Sequence, residues 1–142
     1  MDMFTTQKRS RIMASIQSRN TRPEIIVRRF LFSRGFRFRL HDRKLPGSPD
    51  IILPKYRTVI FINGCFWHGH EGCHLYRLPK TNTDFWEAKI MRNRQRDHRD
   101  MLLLQEKGWK VLVVWECEIR ARKLQRMETL EGLVNEIWSI DP

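Results

Sequence analysis

Three cysteines constrain how this chain folds more than any other feature. Cys65 and Cys73 share one short stretch rich in Gly and His, and 43 residues separate Cys73 from Cys117. The local spacing is Cys65-x4-His70-x2-Cys73, with His68 and His74 close by. A disulfide would leave one cysteine over and needs an oxidising compartment, so it is disfavoured. Buried inert thiols are the plain alternative. Cys and His at these spacings in a Gly-rich loop favour tetrahedral zinc. Three thiolates and one imidazole make a closed, structural set, worth on the order of 10 kcal/mol of folding free energy. Spacing alone does not say which His is the ligand. Cys117 directly follows the apolar run Val111–Trp115, so a strand places it rigidly.

The rest of the chain reads as alternating helices and strands. At 142 residues with 41% apolar content it is expected to form one folded domain. Thr6 caps an expected basic helix over about 7–18, carrying Ile12, Met13 and Ile16 on one side. Pro23 suits the first turn of a helix over about 23–34, which Gly35 stops. Phe36, Phe38 and Leu40 alternate with Arg37 and Arg39, as in a strand with one wet face. Ile51-Ile52-Leu53 is a short strand between Pro-containing turns. Val59–Ile62 is a continuous apolar strand of the sheet-centre kind. Residues 64–82 read as an ordered loop. Thr83 or Asp84 caps a helix over about 84–107 that ends at Gly108, with Trp86, Ile90, Met101 and Leu104 as its apolar stripe. One or two amphipathic helices follow the strand at 111–115. This order predicts an α/β fold: a mixed central sheet flanked by helices.

Charge points to the partner. The formal net charge is +11 and the isoelectric point about 10.3. Residues 1–44 carry 12 Lys and Arg against 3 acids, whereas residues 111–142 are net acidic. A basic arm that grips phosphates has this distribution, and nucleic acid is the first partner to expect. A solvated helix face on a basic protein is the alternative. No apolar run approaches a membrane span and the N-terminus lacks a signal-peptide stretch, so a cytoplasmic location is expected.

Asp50 is the candidate catalytic carboxylate. It stands at a strand start, beside the apolar strand that ends at Asn63. Metal-dependent nucleases hold Mg2+ with such a strand-end carboxylate, and the ion then offsets charge on the scissile phosphate. The usual arrangement adds an acid and a Lys on the second strand. Here those places hold Phe61 and Asn63.

The string Asn63-Gly64-Cys65-Phe66-Trp67-His68-Gly69-His70 resembles the very-short-patch-repair (Vsr) DNA mismatch endonucleases, whose hallmark is a GCFWH segment. Arg9-Ser10-x-x-Met13, Leu45–Asp50 and Pro79-x-Thr81-x-Thr83-x-Phe85-Trp86 also look like family segments, in family order. So do Lys89-Ile90-x-x-Asn93, Arg96-Asp97-x-Arg99-Asp100 and Gly108-Trp109 through Cys117. The likeness spans about residues 7–118.

It implies a restriction-endonuclease-like fold with a structural zinc. The implied activity is a Mg2+-dependent nick 5′ to the T of a T:G mismatch, the product of 5-methylcytosine deamination, which starts short-patch repair. One domain over 1–142 is expected, with a basic arm at 1–19 and a catalytic core at 20–142. By this resemblance Asp50 binds Mg2+ with the backbone carbonyl of Ile62. His68 is the general base, and the Glu24 carboxylate supports it. The zinc ligands are Cys65, His70, Cys73 and Cys117. Phe66, Trp67 and Trp86 are the aromatic wedge beside the mismatch, Met13 enters from the other groove, and Lys89 and Asn93 read the mismatch. Asn63 stands where many members have a second His. An amide cannot shuttle a proton, so Asn63 keeps only hydrogen bonding to a phosphate oxygen. Implied partners are T:G duplex DNA, mismatch-repair proteins and a cognate cytosine-5 methyltransferase, with the chain acting as a monomer. A restriction-type enzyme of the same fold, or a non-catalytic zinc DNA-binding protein, are the alternatives.

Overall fold

A computed structural model describes residues 20–139 of the chain. The expected helix at 7–18, the basic arm at 1–19 and Met13 lie outside the described residues. Helix α1 (Arg22–Ser33) starts as expected, with Thr21 as N-cap and Pro23 in the first turn. It buries Pro23, Glu24, Val27 and Leu31 along one stripe. Gly35, at φ +89°, ends it with a left-handed residue that few side chains tolerate. The Gly35 and Phe36 amides donate back to Phe32 and Leu31, which satisfies the last carbonyls and turns Phe36 into the core. The same device recurs at Gly108, whose neighbour Trp109 is likewise buried.

Four strands form one mixed sheet in the order β1 (Arg39–Leu40), β2 (Ile51–Leu53), β3 (Thr58–Asn63), β4 (Lys110–Trp115). Strands β1–β2 and β2–β3 are antiparallel, and β3–β4 is parallel. Alternation along the strands divides the core in two. Ile51, Leu53, Ile60, Leu112 and Val114 face α1 and a C-terminal helix, α4 (Lys123–Trp138). Ile52, Val59 and Val111 face the other way, toward Leu104 and Trp109. Leu104 belongs to the long helix α2 (Thr83–Glu106). A four-residue helix, α3 (Glu116–Ile119), follows β4 directly. The sheet therefore lies between helices, as the element order predicts.

Three local expectations change. The strand expected over Phe36–Leu40 pairs only at Arg39–Leu40, and Leu40 is 38% exposed while Phe36 is buried. The chain enters the sheet edge late because Phe36 is spent in the core, against Tyr56 and Trp138. Neither Thr83 nor Asp84 caps α2; Asn82 holds the N-cap position in a left-handed conformation, without a side-chain capping hydrogen bond, and the Thr83 hydroxyl donates to Pro79 O at 2.8 Å. Of the expected apolar stripe on α2, Ile90 and Leu104 are buried, while Trp86 and Met101 are only half-buried. A 24-residue helix runs about 36 Å, far beyond a six-residue strand of about 20 Å. Its N-terminal half overhangs the sheet and packs on the Cys/His loop.

Ile60, fully buried at the sheet centre, carries much of the larger core. Ile60→Ala is expected to destabilise the fold by about 2–5 kcal/mol, whereas Leu124→Ala, at an 81% exposed position, should change it by less than about 0.5 kcal/mol. Urea unfolding of the two variants checks both.

Candidate functional site

Parallel pairing of β3 and β4 builds the first half of the site. Asn63 and Trp115 are register partners at the same sheet end. Cys65 and Cys117 each follow two residues later, so the register brings them together. Cys117 N–H donates to Cys65 Sγ at 3.4 Å, and Cys117 Sγ lies 3.5 Å from His70 Nδ1. The donor atoms of Cys65, His70, Cys73 and Cys117 all fall within 4.8 Å of one another. His70 is the histidine brought into this set, its ring stacked on Trp115 at 4.0 Å and 4°. Cys65 is fully buried, and that burial pushes its thiol up. Coordination would reverse this, because a cation holds a thiol as thiolate. Three thiols and one imidazole around a common point fit a tetrahedral ion of the zinc type.

Strand β2 delivers the second half. The Asp50 amide donates to Ile60 O at 3.1 Å, although Ile60 is the register partner of Ile51, so Asp50 joins β3 one residue off register. Its carboxylate accepts from Ile62 N–H at 2.7 Å. Within a strand the N–H and C=O of one residue point to the same edge, so the Ile62 carbonyl also faces Asp50. Burial raises the Asp50 carboxyl from 3.8 to about 6, against the lowering effect of the Ile62 amide; nearby Glu24 raises it further. A desolvated acid with a carbonyl beside it fits a hard divalent cation, which supplies the missing positive charge.

Glu24 and His68 are not hydrogen-bonded to each other. Glu24, 2% exposed on α1, takes the His41 Nε2 at 2.9 Å on both oxygens and the Arg28 guanidinium at 3.0 Å. His68 is held by a different acid: its Nδ1 lies 2.5 Å from Asp97 Oδ2. The physical reason is the layering. Glu24 comes from the helix on one face, while His68 rides on the loop over which α2 is laid. Neither Asp97 nor His41 received a role from sequence. Asp97 lay inside a quoted motif, and its position one helix turn past Asn93 was the available signal. For His41 the sequence held no local signal: its place opposite Asp50 follows from the β1–β2 register, which pairs Leu40 with Ile51 and, one step further, His41 with Asp50.

The aromatic residues come together. Phe66, Trp67 and Trp86 form one half-buried cluster with ring centroids 5.0–5.9 Å apart, and exposed Phe85 extends it. Lys89 Nζ sits 5.6 Å from both the Trp67 and Trp86 rings. The Asn93 amide donates to Trp67 O at 2.9 Å and accepts from Arg96, so in this state it braces the aromatic loop. Arg94 braces the same loop through Gly69 O at 2.9 Å. Gly69 has φ +60°, and a Cβ there would meet Ile90 at 2.6 Å, so helix and loop approach this closely only at a glycine. A cleft of about 1060 Å³ opens beside the cluster, lined by Ile62, Asn63, Phe66, Trp67, His68 and Asn93. Arg22, Arg96, Arg120 and Arg126 give its walls positive charge.

The raised Asp50 carboxyl makes a thermodynamic prediction. Its contribution to stability is complete below the unfolded value of 3.8 and is lost as pH rises through about 6. Asp50→Asn keeps an acceptor for Ile62 N–H and removes the buried charge. Without added Mg2+ the variant should therefore be more stable than the wild type at pH 7.5, by about 1–3 kcal/mol. The difference should disappear near pH 4. Denaturant unfolding of both proteins at the two pH values measures it.

Comparison with known proteins places this geometry. Residues 1–74 match the family model described as DNA mismatch endonuclease Vsr. The type II nicking enzyme V.NmeAIP of Neisseria meningitidis is 52% identical over 96% of this chain and 96% of its own. The type II nicking enzyme V.XorIIP of Xanthomonas oryzae pv. oryzae is 50% identical over 83% of this chain and 86% of its own. DNA mismatch endonuclease Vsr of Escherichia coli is 44% identical over 95% of this chain and 86% of its own. With that identity sustained across nearly the whole chain, this protein belongs to the Vsr family of DNA mismatch endonucleases.

Proposed function

We propose that this DNA endonuclease nicks one strand of a duplex on the 5′ side of the T in a T:G mismatch, using Mg2+ at Asp50. The observation that carries the chemistry is the His68–Asp97 pair at one wall of the cationic cleft, where Ile62 and Asn63 end strand β3. With Nδ1–H donating to Asp97, Nε2 of His68 keeps a lone pair and takes a proton from the attacking water. The carboxylate holds the ring in that tautomer and stabilises it once charged, so Asp97 takes the supporting role assigned to Glu24 on resemblance. Asp50 and the Ile62 carbonyl would hold a divalent cation, which would supply positive charge to the scissile phosphate. Asn63, buried at the strand end, offers an amide to a phosphate oxygen. The cleft arginines hold neighbouring phosphates and set register without reading sequence.

Specificity rests on the aromatic cluster. Unstacking a base step costs a few kcal/mol, and less at a mismatch. Phe66, Trp67 and Trp86 sit as a block beside the cleft, with Lys89 against two of the rings. Insertion of this block favours the step that is easiest to open. Asn93, which holds Trp67 through its backbone, links that insertion to the loop carrying His68. Zinc on Cys65, His70, Cys73 and Cys117 keeps the loop folded. The proposed chain is a single domain of restriction-endonuclease-like fold. Its basic arm, residues 1–19, clamps the duplex, and Met13 on that arm enters from the other groove.

Labelled duplexes differing only by one T:G pair test the proposal. With Mg2+, the mismatched duplex should be nicked in the T strand and the matched one left intact. Cleavage that follows sequence without a mismatch would assign a restriction-type activity, and cleavage of neither would remove the proposed reaction. Asp97→Asn should lower the single-turnover nicking rate by about 10²- to 10⁴-fold, with zinc content unchanged. Deleting residues 1–19 should flatten the salt dependence of DNA binding, measured by anisotropy between about 50 and 200 mM salt.

A further inference from the structure

The cluster around Asp50 contains a nitrogen donor that none of these roles uses. The donor atoms of Glu24, His41 and Asp50 lie within 4.8 Å of one another. They arrive from separate elements. Asp50 and His41 face each other because the β1–β2 ladder runs one step past Leu40 and Ile51, and His41 N–H donates to Asp50 O at 3.1 Å. Glu24 reaches in from α1, where it is almost fully buried. His41 has φ +51°, a left-handed conformation uncommon outside glycine and one that tends to mark functional positions.

Resting on the cation site proposed above, we propose that His41 is a third protein ligand, making a mixed Glu24–His41–Asp50 site that accepts Mn2+ in preference to Mg2+. The spacing suits one ion. Metal–ligand bonds of about 2.1 Å put neighbouring octahedral donors about 3.0 Å apart and opposite donors about 4.2 Å apart. His41 Nε2 stands 2.9 Å from both Glu24 oxygens, the neighbouring-donor value. Without metal the Nε2 proton bridges to Glu24. On binding, Nε2 would give its lone pair to the ion, with the ring proton on Nδ1. An imidazole discriminates between the two ions where carboxylates discriminate little. Mg2+ dehydrates reluctantly and keeps oxygen ligands, whereas Mn2+, though also oxygen-preferring, is a transition ion that gains more than Mg2+ from an imidazole nitrogen.

The test uses zinc-loaded full-length protein and Mn2+ or Mg2+ alone. His41→Gln retains an N–H at the reach of Nε2, so it preserves the hydrogen bond to Glu24 and removes the nitrogen lone pair. Mn2+ affinity, read by electron paramagnetic resonance titration, should fall about tenfold or more, while Mg2+ affinity changes less than about threefold. The bound Mn2+ should show nitrogen-14 hyperfine coupling that survives in His68→Ala and vanishes in His41→Gln. Unchanged Mn2+ affinity, equal losses for both ions, or coupling that persists in His41→Gln would overturn the proposal and leave His41 a positioning residue for Glu24. Asp50→Ala separates the two claims. If that variant binds both ions as the wild type does, the cation site itself fails. If it loses both ions while His41→Gln loses neither, only the role of His41 fails.

Discussion

Six register pairs between β3 and β4 govern the rest of this structure. Parallel strands need a long crossover, and here the crossover carries both the Cys/His loop and helix α2. Because the strands run the same way, both C-terminal ends open at one sheet edge. Cys65 and Cys117 meet there, His68 follows within the same loop, and Asp50 is bonded to β3 from the other side. A one-residue slip of β4 would turn its core-facing residues to the opposite face and pull Cys117 away from Cys65. Core packing and the metal-binding set therefore select the same register, which makes it doubly determined.

Electrostatics divides the molecule into regions with different tasks. Arginines on the cleft walls attract phosphates from a distance and are solvated there. The acids of the candidate cation site are buried. Asp50 is held in a conformation where its charge is disfavoured, and Glu24 is buried with one guanidinium and one imidazole. Such a site is less stable by itself than an apolar one, and a bound cation would restore that stability. Opposed to it stands a soft Cys/His cluster built on the loop that leaves β3, whereas Asp50 stands at β2 and Glu24 on α1. An oxygen-rich set and a sulfur-rich set in one chain differ in the kind of metal their ligand chemistry favours.

Much of the fold was legible beforehand. Helix α1 lay within a residue of its expected bounds because Thr21, Pro23 and Gly35 act locally. The apolar run at 59–62 and the strand before Cys117 were equally clear, since a strand buried on both faces shows as unbroken hydrophobicity. What local pattern could not supply was length and partnership. Phe36–Leu40 alternates like a strand, yet Phe36 is claimed by the core before pairing begins. Thr83 has the chemistry of a cap, yet its hydroxyl is drawn to Pro79. In each case a tertiary partner outbids a local preference of about 1 kcal/mol or less.

The same division holds at the site. Sequence by itself determined which atoms are available: two thiols among several imidazoles at loop spacing, a third thiol after a strand, an acid at a strand start, and rare aromatic motifs that identify the family. Those are properties of residue type and short spacing, so they need no fold to be seen. Tertiary structure alone decided which acid holds which histidine. Glu24 and Asp97 lie 44 and 29 residues from His68, and nothing in spacing prefers one of them. The sheet separates them, with α1 carrying Glu24 to His41 on one face and α2 carrying Asp97 to His68 beside the loop. Hydrogen bonds between side chains depend on distances of a few tenths of an ångström, and only the packed layers set distances that closely.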